Sequence, residues 1–274
     1  MSDDSLDQLL RHCGLPRLEA RLLLQQVLQV NHAWLVAHGG EPISSDARLD
    51  FATLVQRRLA GEPIAYLLEC REFYGRPFRV TPAVLIPRPD TELLIEQALA
   101  HLPADAPLQV LDVGTGSGCI AITLALERPQ WQLTALDLSD AALQVAQHNA
   151  RQLGASVRFV RSDYLSAVTG QRFDAIVSNP PYIPLGDPHL QQGDLRYEPA
   201  NALTDGADGL QAYRALAQQA KACLRPGGWL LVEHGYDQGE TVPALLQQAG
   251  WQQIRLHHDL AGQARVTCAQ RPEG

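Results

Sequence analysis

Asn179-Pro180-Pro181-Tyr182 follows directly on Phe173 to Ser178, an apolar run that reads as a β-strand. Proline lacks an N–H and fixes φ, so two in succession hold the backbone extended and leave its carbonyls aimed at whatever faces them. The Asn179 side chain brings a second carbonyl oxygen beside that of Pro180. Two acceptors held rigidly grip the two hydrogens of an NH2 group. Tyr182 adds an aromatic face that stacks on planar groups and attracts a cation. Asn-Pro alone is a common turn; the full tetrad at a strand end is a more specific signal.

A second constellation lies earlier. Leu111-Asp112-Val113 ends an apolar run, and Gly114-Thr115-Gly116-Ser117-Gly118 separates it from a helical pattern. Glycines at a strand-to-helix turn let a ligand approach the backbone closely. Asp137 closes the next strand, about twenty residues on, where a carboxylate can accept both hydroxyls of a ribose. Loop and carboxylate point to a nucleoside cofactor without separating a nicotinamide from S-adenosylmethionine. The tetrad separates them, because its acceptors suit an amino or amide group and its ring suits a sulfonium. No Tyr-Lys or His-Asp pairing for hydride transfer is visible.

These residues need a scaffold. Strands are expected at 108–113, 131–137, 156–161, 173–178, 228–234, 251–258 and 264–269, with helices at 117–128, 140–153, 208–224 and 238–249. Such alternation implies a parallel sheet covered on both faces. The short connection before the last strand makes that strand antiparallel to its neighbour. The first sixty residues read as helices: Leu18, Leu22, Leu23, Leu24 and Val27 form one stripe, and Leu49, Leu54 and Leu59 a second behind the N-cap candidates Ser44-Ser45-Asp46. Gly61 stops that helix. Phe73 to Pro82 reads as short strands around a turn. Asp90 or Thr91 then caps a helix through Leu93, Leu94, Ile95 and Leu99. The expected domains are a helical bundle over 1–61, a hairpin linker over 62–90, and an α/β domain over 91–274.

Composition narrows the classes. The 274 residues are 46% hydrophobic and 19% charged, as in a globular protein. Net charge is -8, and residues 1–80 hold nine arginines against ten acidic residues, so no basic nucleic-acid-binding domain stands out. Lys221 is the sole lysine, which leaves little room for a lysine nucleophile. The five cysteines are scattered and odd in number, and the nine histidines form no HExxH or HxH pattern, so no metal is expected. No apolar run is long enough to span a membrane, and the acidic start MSDDSLDQLL is unlike a secretory signal. A cytoplasmic protein with free thiols is expected.

The tetrad resembles the motif of class I methyltransferases that modify planar nitrogens: adenine-N6, guanine-N2 and glutamine-amide enzymes. Gly61-Glu62-Pro63-Ile64-Ala65-Tyr66-Leu67, Glu72-Phe73-Tyr74-Gly75 and Ile86-Pro87-Arg88-Pro89-Asp90-Thr91-Glu92 are similar to segments of the HemK-type release factor glutamine methyltransferases. The similarity runs over nearly the whole chain. Ribosomal-protein glutamine methyltransferases usually depart from the Pro-Asp-Thr-Glu part, which is intact here. The resemblance implies a seven-stranded Rossmann-like domain behind a small helical domain; that helical domain is expected to contact the substrate protein, the alternative being a stability cap for the sheet domain. It implies N5-methylation of the GGQ glutamine of class I peptide-chain release factors, with S-adenosyl-L-methionine as donor and no direct nucleic-acid partner. By the same resemblance, Gly114 to Gly118 line the cofactor, Asp137 holds its ribose, and Asp163 and Tyr164 flank its adenine. Asn179, Pro180, Pro181 and Tyr182 hold the substrate amide, and Asn179 also borders the cofactor. Arg88, Thr91 and Glu92 close over its methionine end. A nucleic-acid amino-group methyltransferase, a ribosomal-protein glutamine methyltransferase and a binding module without activity are the alternatives.

Overall fold

The computed structural model describes residues 5–273. Met1 to Asp4, part of the acidic start weighed against a secretory signal, and Gly274 lie outside the described residues. The described residues form two compact units, one ending at Cys70 and the other beginning at Arg71. Among them no helix is long and apolar enough to cross a membrane.

The first unit is helical: α1 (Leu6–His12), α2 (Arg17–Leu28), α3 (His32–Ala37), α4 (Ser45–Leu59) and a short α5 (Ile64–Leu67). Ser5 and Gln8 close a reciprocal cap at the start of α1, and Ser44 caps α4. The core joins Leu6, Leu10, Ala20, Leu23, Leu24, Leu35, Phe51 and Val55. The expected stripes are corrected at three positions, since Leu18, Leu49 and Leu59 are 70%, 68% and 51% exposed. The α2 core face runs through Ala20, Leu23 and Leu24, and Leu18 lies about 200° around the helix from Ala20. Leu49 stands in the same relation to Phe51, while Leu59 ends its helix. Residues 64–67, expected in the linker, are helical.

A two-stranded hairpin, β1 (Cys70–Phe73) and β2 (Arg76–Arg79), starts at the boundary residue Cys70 and opens the second unit. There follow α6 (Glu92–His101), β3 (Gln109–Val113), α7 (Cys119–Glu127), β4 (Gln132–Asp137), α8 (Asp140–Leu153), β5 (Val157–Arg161) and β6 (Phe173–Ser178). Then come α9 (Ala200–Leu203), α10 (Gln211–Cys223), β7 (Leu224–Glu233), α11 (Thr241–Gln248), β8 (Gln252–His258) and β9 (Ala264–Gln270). In this hairpin Phe73 and Phe78 are buried in one core cluster with Leu94 and Ile95 of α6.

The sheet order is β5-β4-β3-β6-β7-β9-β8. All neighbours are parallel except β9, which is antiparallel to both β7 and β8. Inner strands buried on both faces, such as β3 and β6, account for the continuous apolar runs in the sequence. Residues of α6, α7 and α8 pack on one face. Those of α10 and α11 pack on the other. β7 starts four residues earlier than expected, with a register shift opposite β6. β3 pairs with β4 on one side and β6 on the other, so the strand order reverses there. In open α/β sheets a ligand crevice lies beyond the strand ends at such a reversal.

Candidate active site

The glycine loop leaves β3 at that reversal. Gly114, Gly116 and Gly118 all have positive φ, at 76°, 55° and 84°. The Gly114 and Thr115 N–H groups donate to the Leu136 carbonyl at 2.9 Å, which ties the loop to the end of β4. A Cβ on Gly114 or Gly116 would meet nothing within 4 Å, whereas one on Gly118 would strike Ile122 at 2.7 Å. The first two glycines therefore open a cradle, and the third permits packing of α7. Beneath the loop Asp112 is fully buried; its Oδ2 accepts from Thr115 Oγ1 at 2.7 Å and from the Ala121 N–H at 3.3 Å. Its Oδ1 has no partner, and burial pushes its pKa up to about 7. Sequence reading passed over Asp112 because it sits inside the strand pattern.

Asp137 closes β4 beside the loop. Its carboxylate accepts from the Gly116 N–H at 2.8 Å and the Ser139 N–H at 2.9 Å. Burial raises its pKa, and these backbone donors oppose the rise. After β5 the Ser162 hydroxyl donates to the Tyr164 carbonyl at 2.8 Å. That bond supports Tyr164 at φ 44°, a left-handed conformation costing a non-glycine residue about 1–3 kcal/mol.

The tetrad leaves β6 alongside. The Ser178 hydroxyl donates to the Val113 carbonyl at 2.7 Å, joining the ends of β6 and β3. The Asn179 amide donates through Nδ2 to Thr91 Oγ1 at 3.1 Å. Thr91, expected as a helix cap, makes no cap bond, and Asp90 pairs instead with Arg265 at 3.1 Å. Both side chains are used by residues distant in sequence. Glu233, at the end of β7, is 1% exposed. Burial pushes its pKa up to about 7, opposed by hydrogen bonds from Thr91 and Asn179 and by the charge of Arg265. Gln238 fixes the far end of the tetrad, donating to the Tyr182 carbonyl at 3.2 Å.

One cavity of about 180 Å³ is lined by Gly114, Gly116, Asp137, Asp163, Tyr164, Asn179, Pro180 and Pro181. Thr115, Ser117 and Gly118 shape the loop without lining that cavity. A smaller adjoining cavity shares Asn179 and Pro180 and adds Tyr182 and Arg88. Arg88 pairs with the buried Glu198, whose other oxygen accepts from the Ile86 N–H at 2.9 Å. Glu92 accepts from the Tyr74 N–H of the hairpin at 3.0 Å and does not line the cavity. A further buried residue, Asn149, accepts from the Arg79 N–H at 2.8 Å. It donates to the carbonyls of Arg79 and Ser117 at 3.0 and 2.9 Å.

Glycine cradle after β3, carboxylate at the end of β4 and tetrad after β6, on a sheet with one inserted antiparallel strand, define a class I methyltransferase fold. Residues 90–190 match the Methyltransferase small domain family, and residues 5–68 match the PrmC N-terminal domain family. A methyltransferase structure from Pyrococcus furiosus aligns at TM-score 0.55 and 18% identity, covering 79% of this chain and 97% of that one. The release factor glutamine methyltransferase of Bordetella pertussis is 53% identical over 96% of this chain and 97% of its own. That of Neisseria gonorrhoeae is 49% identical over 96% of each. The chain belongs to the release factor glutamine methyltransferase family.

Proposed function

We propose that the protein transfers a methyl group from S-adenosylmethionine to the side-chain amide nitrogen (N5) of the GGQ glutamine in class I peptide-chain release factors. The relatives' names support this substrate. One observation carries the chemistry. Asn179 commits its nitrogen to Thr91, so its Oδ1 is the end left for a substrate, beside the Pro180 carbonyl and at the edge of the glycine cradle.

S-adenosylmethionine, when bound, supplies a methyl group on a positively charged sulfur. The open space over Gly114 and Gly116 fits such a molecule, as does the carboxylate beside them. We assign Gly114 to Gly118 to enclosing it, Asp137 to its ribose, and Asp163 and Tyr164 to its adenine. An amide nitrogen is a poor nucleophile because its lone pair is delocalised into the carbonyl. Asn179 Oδ1 and the Pro180 carbonyl accept from the two N–H bonds and favour electron density on nitrogen. Holding the amide in this orientation accounts for several kcal/mol of barrier, and preorganised dipoles add to it. The methylated amide is strongly acidic before it loses its proton, so water suffices as acceptor and no dedicated base is needed. A steep pH–rate dependence near neutrality that vanished on replacing one acidic residue would overturn that last point.

The N-terminal helical domain, which presents Leu18, Leu49 and Leu59 to solvent, is assigned the contact with the release-factor body. Release factors act on ribosomes, so the activity is placed in the cytoplasm. The test is incubation with methyl-labelled S-adenosylmethionine and a release factor, beside the same factor carrying alanine for its GGQ glutamine. Label on the first alone supports the reading. Label only on ribosomal protein, RNA or DNA in parallel tubes overturns it.

A further inference from the structure

We propose that His101, His257 and Cys268 form a binding site for one zinc-class divalent cation, which clamps the end of α6 to the β8–β9 hairpin. Short spacing motifs gave no hint of it, because the three residues come from the last turn of a helix and from two strands. The fold brings one ligand atom from each to within 4.8 Å of the others.

The chemistry of the three atoms is consistent. His101 Nδ1 lies 2.9 Å from the Gln97 carbonyl, so that nitrogen carries the proton and Nε2 carries the lone pair. This is the arrangement of a metal-binding imidazole, whose far nitrogen donates to a backbone carbonyl. His101 Nε2 is buried without a hydrogen-bond partner, and so is His257 Nε2. Buried polar atoms are seldom left unpaired, so two in one place need a reason. The two rings meet edge to face, at 5.5 Å between centroids and 88° between planes. Trp229 closes on His101 at 4.9 Å. Cys268 is a fully buried free thiol.

Two imidazoles and one thiol select zinc, or its cobalt and copper neighbours, over magnesium or calcium, which need oxygen. Among the described residues no carboxylate joins the cluster. Bonds of about 2.0–2.3 Å on a tetrahedral ion place ligands about 3.5 Å apart, so side-chain rotation must tighten the group by up to about 1.3 Å. The fourth position is left to water. Without a cation, burial pushes the Cys268 thiol up to about 12. Binding replaces the S–H bond with a metal–sulfur bond, and the proton passes to buffer. Arg255, the exposed cross-strand partner of Cys268, favours the thiolate. At the other end of α6 stands Thr91, under Asn179. A clamp on His101 therefore steadies a helix of about 15 Å that ends at the tetrad.

The test uses the full chain, free of affinity tags, treated with chelator and reductant and then titrated with cobalt(II). One equivalent should bind with a near-ultraviolet thiolate-to-cobalt absorption, and zinc(II) should displace it and raise Tm. Cys268→Ala should abolish the absorption. His101→Gln and His257→Gln should each weaken cobalt binding at least tenfold, and His258→Ala, on the neighbouring residue, should not. Circular dichroism melts without metal identify any variant that fails to fold. Absence of the absorption from wild-type chain with all thiols reduced overturns the proposal. So does a one-equivalent complex of undiminished affinity in folded Cys268→Ala or His257→Gln protein.

Discussion

Asn179 has a defined orientation because Thr91 Oγ1 accepts its amide hydrogen and Glu233 stands behind both. Asn179→Ala should lower kcat by about 10²–10³ as an oriented group is lost, with the cofactor Kd nearly unchanged. Equal losses in both would mean that Asn179 chiefly organises the cofactor site. Asp137→Ala should do the reverse, weakening cofactor binding by roughly 10–100-fold, the scale of hydrogen bonds to a charged group; calorimetry reads it directly. Glu233 makes a pH prediction. Its folded pKa is about 7 against an ordinary 4.5. As pH rises between those values the unfolded chain ionises first and binds fewer protons, so stability falls. The contribution is complete below the ordinary value and lost once pH has passed about 7. Urea midpoints at pH 5 and pH 8 should therefore differ less in Glu233→Gln than in wild type, and equal differences would remove Glu233 from the balance.

At the scale of elements, Asn149 of α8 fastens two segments at once, the end of β2 and the glycine loop. Asn149→Ala removes three hydrogen bonds to the backbone and should lower stability by about 0.5–1.5 kcal/mol for each. The denaturant midpoint should fall with m unchanged, and cofactor affinity should fall with it. In the sequence Asn149 is one more polar residue on a helix, and nothing nearby marks it as buried. The same holds for Glu233, and the bonds that Thr91 and Asp90 make were hidden because their partners are far along the chain. The strands, the glycine turn, Asp137 and the tetrad were legible because each is local: an apolar run, a run of glycines, a residue at a strand end. The segment after the tetrad was not. Residues 188–203 fold into short turns and α9 without a periodic pattern. Their part in the fold shows in Glu198, which holds Ile86 and Arg88, and in Pro199, Asn201 and Ala202, which line the larger cavity.

For the molecule as a whole, a ligand at 100 times its Kd stabilises by about 2.7 kcal/mol. In a unit of this size that is roughly 5–10 °C of Tm. S-adenosylmethionine should produce such a shift in wild type and a much smaller one in Asp137→Ala. An equal shift in both would move the cofactor away from β4. The sheet order carries one more consequence, for how the chain comes to be active. β9, the latest strand in sequence among the described residues, lies inside the sheet between β7 and β8. Synthesis delivers β8 before the strand that joins it to the rest, and Arg265, the partner of Asp90, arrives with that strand. A nascent chain can fold its helical N-terminal unit early. The segment of Asp90 and Thr91, on which Asn179 rests, gains its full support only after β9 has left the ribosome, so an unfinished copy of this protein should be born inert.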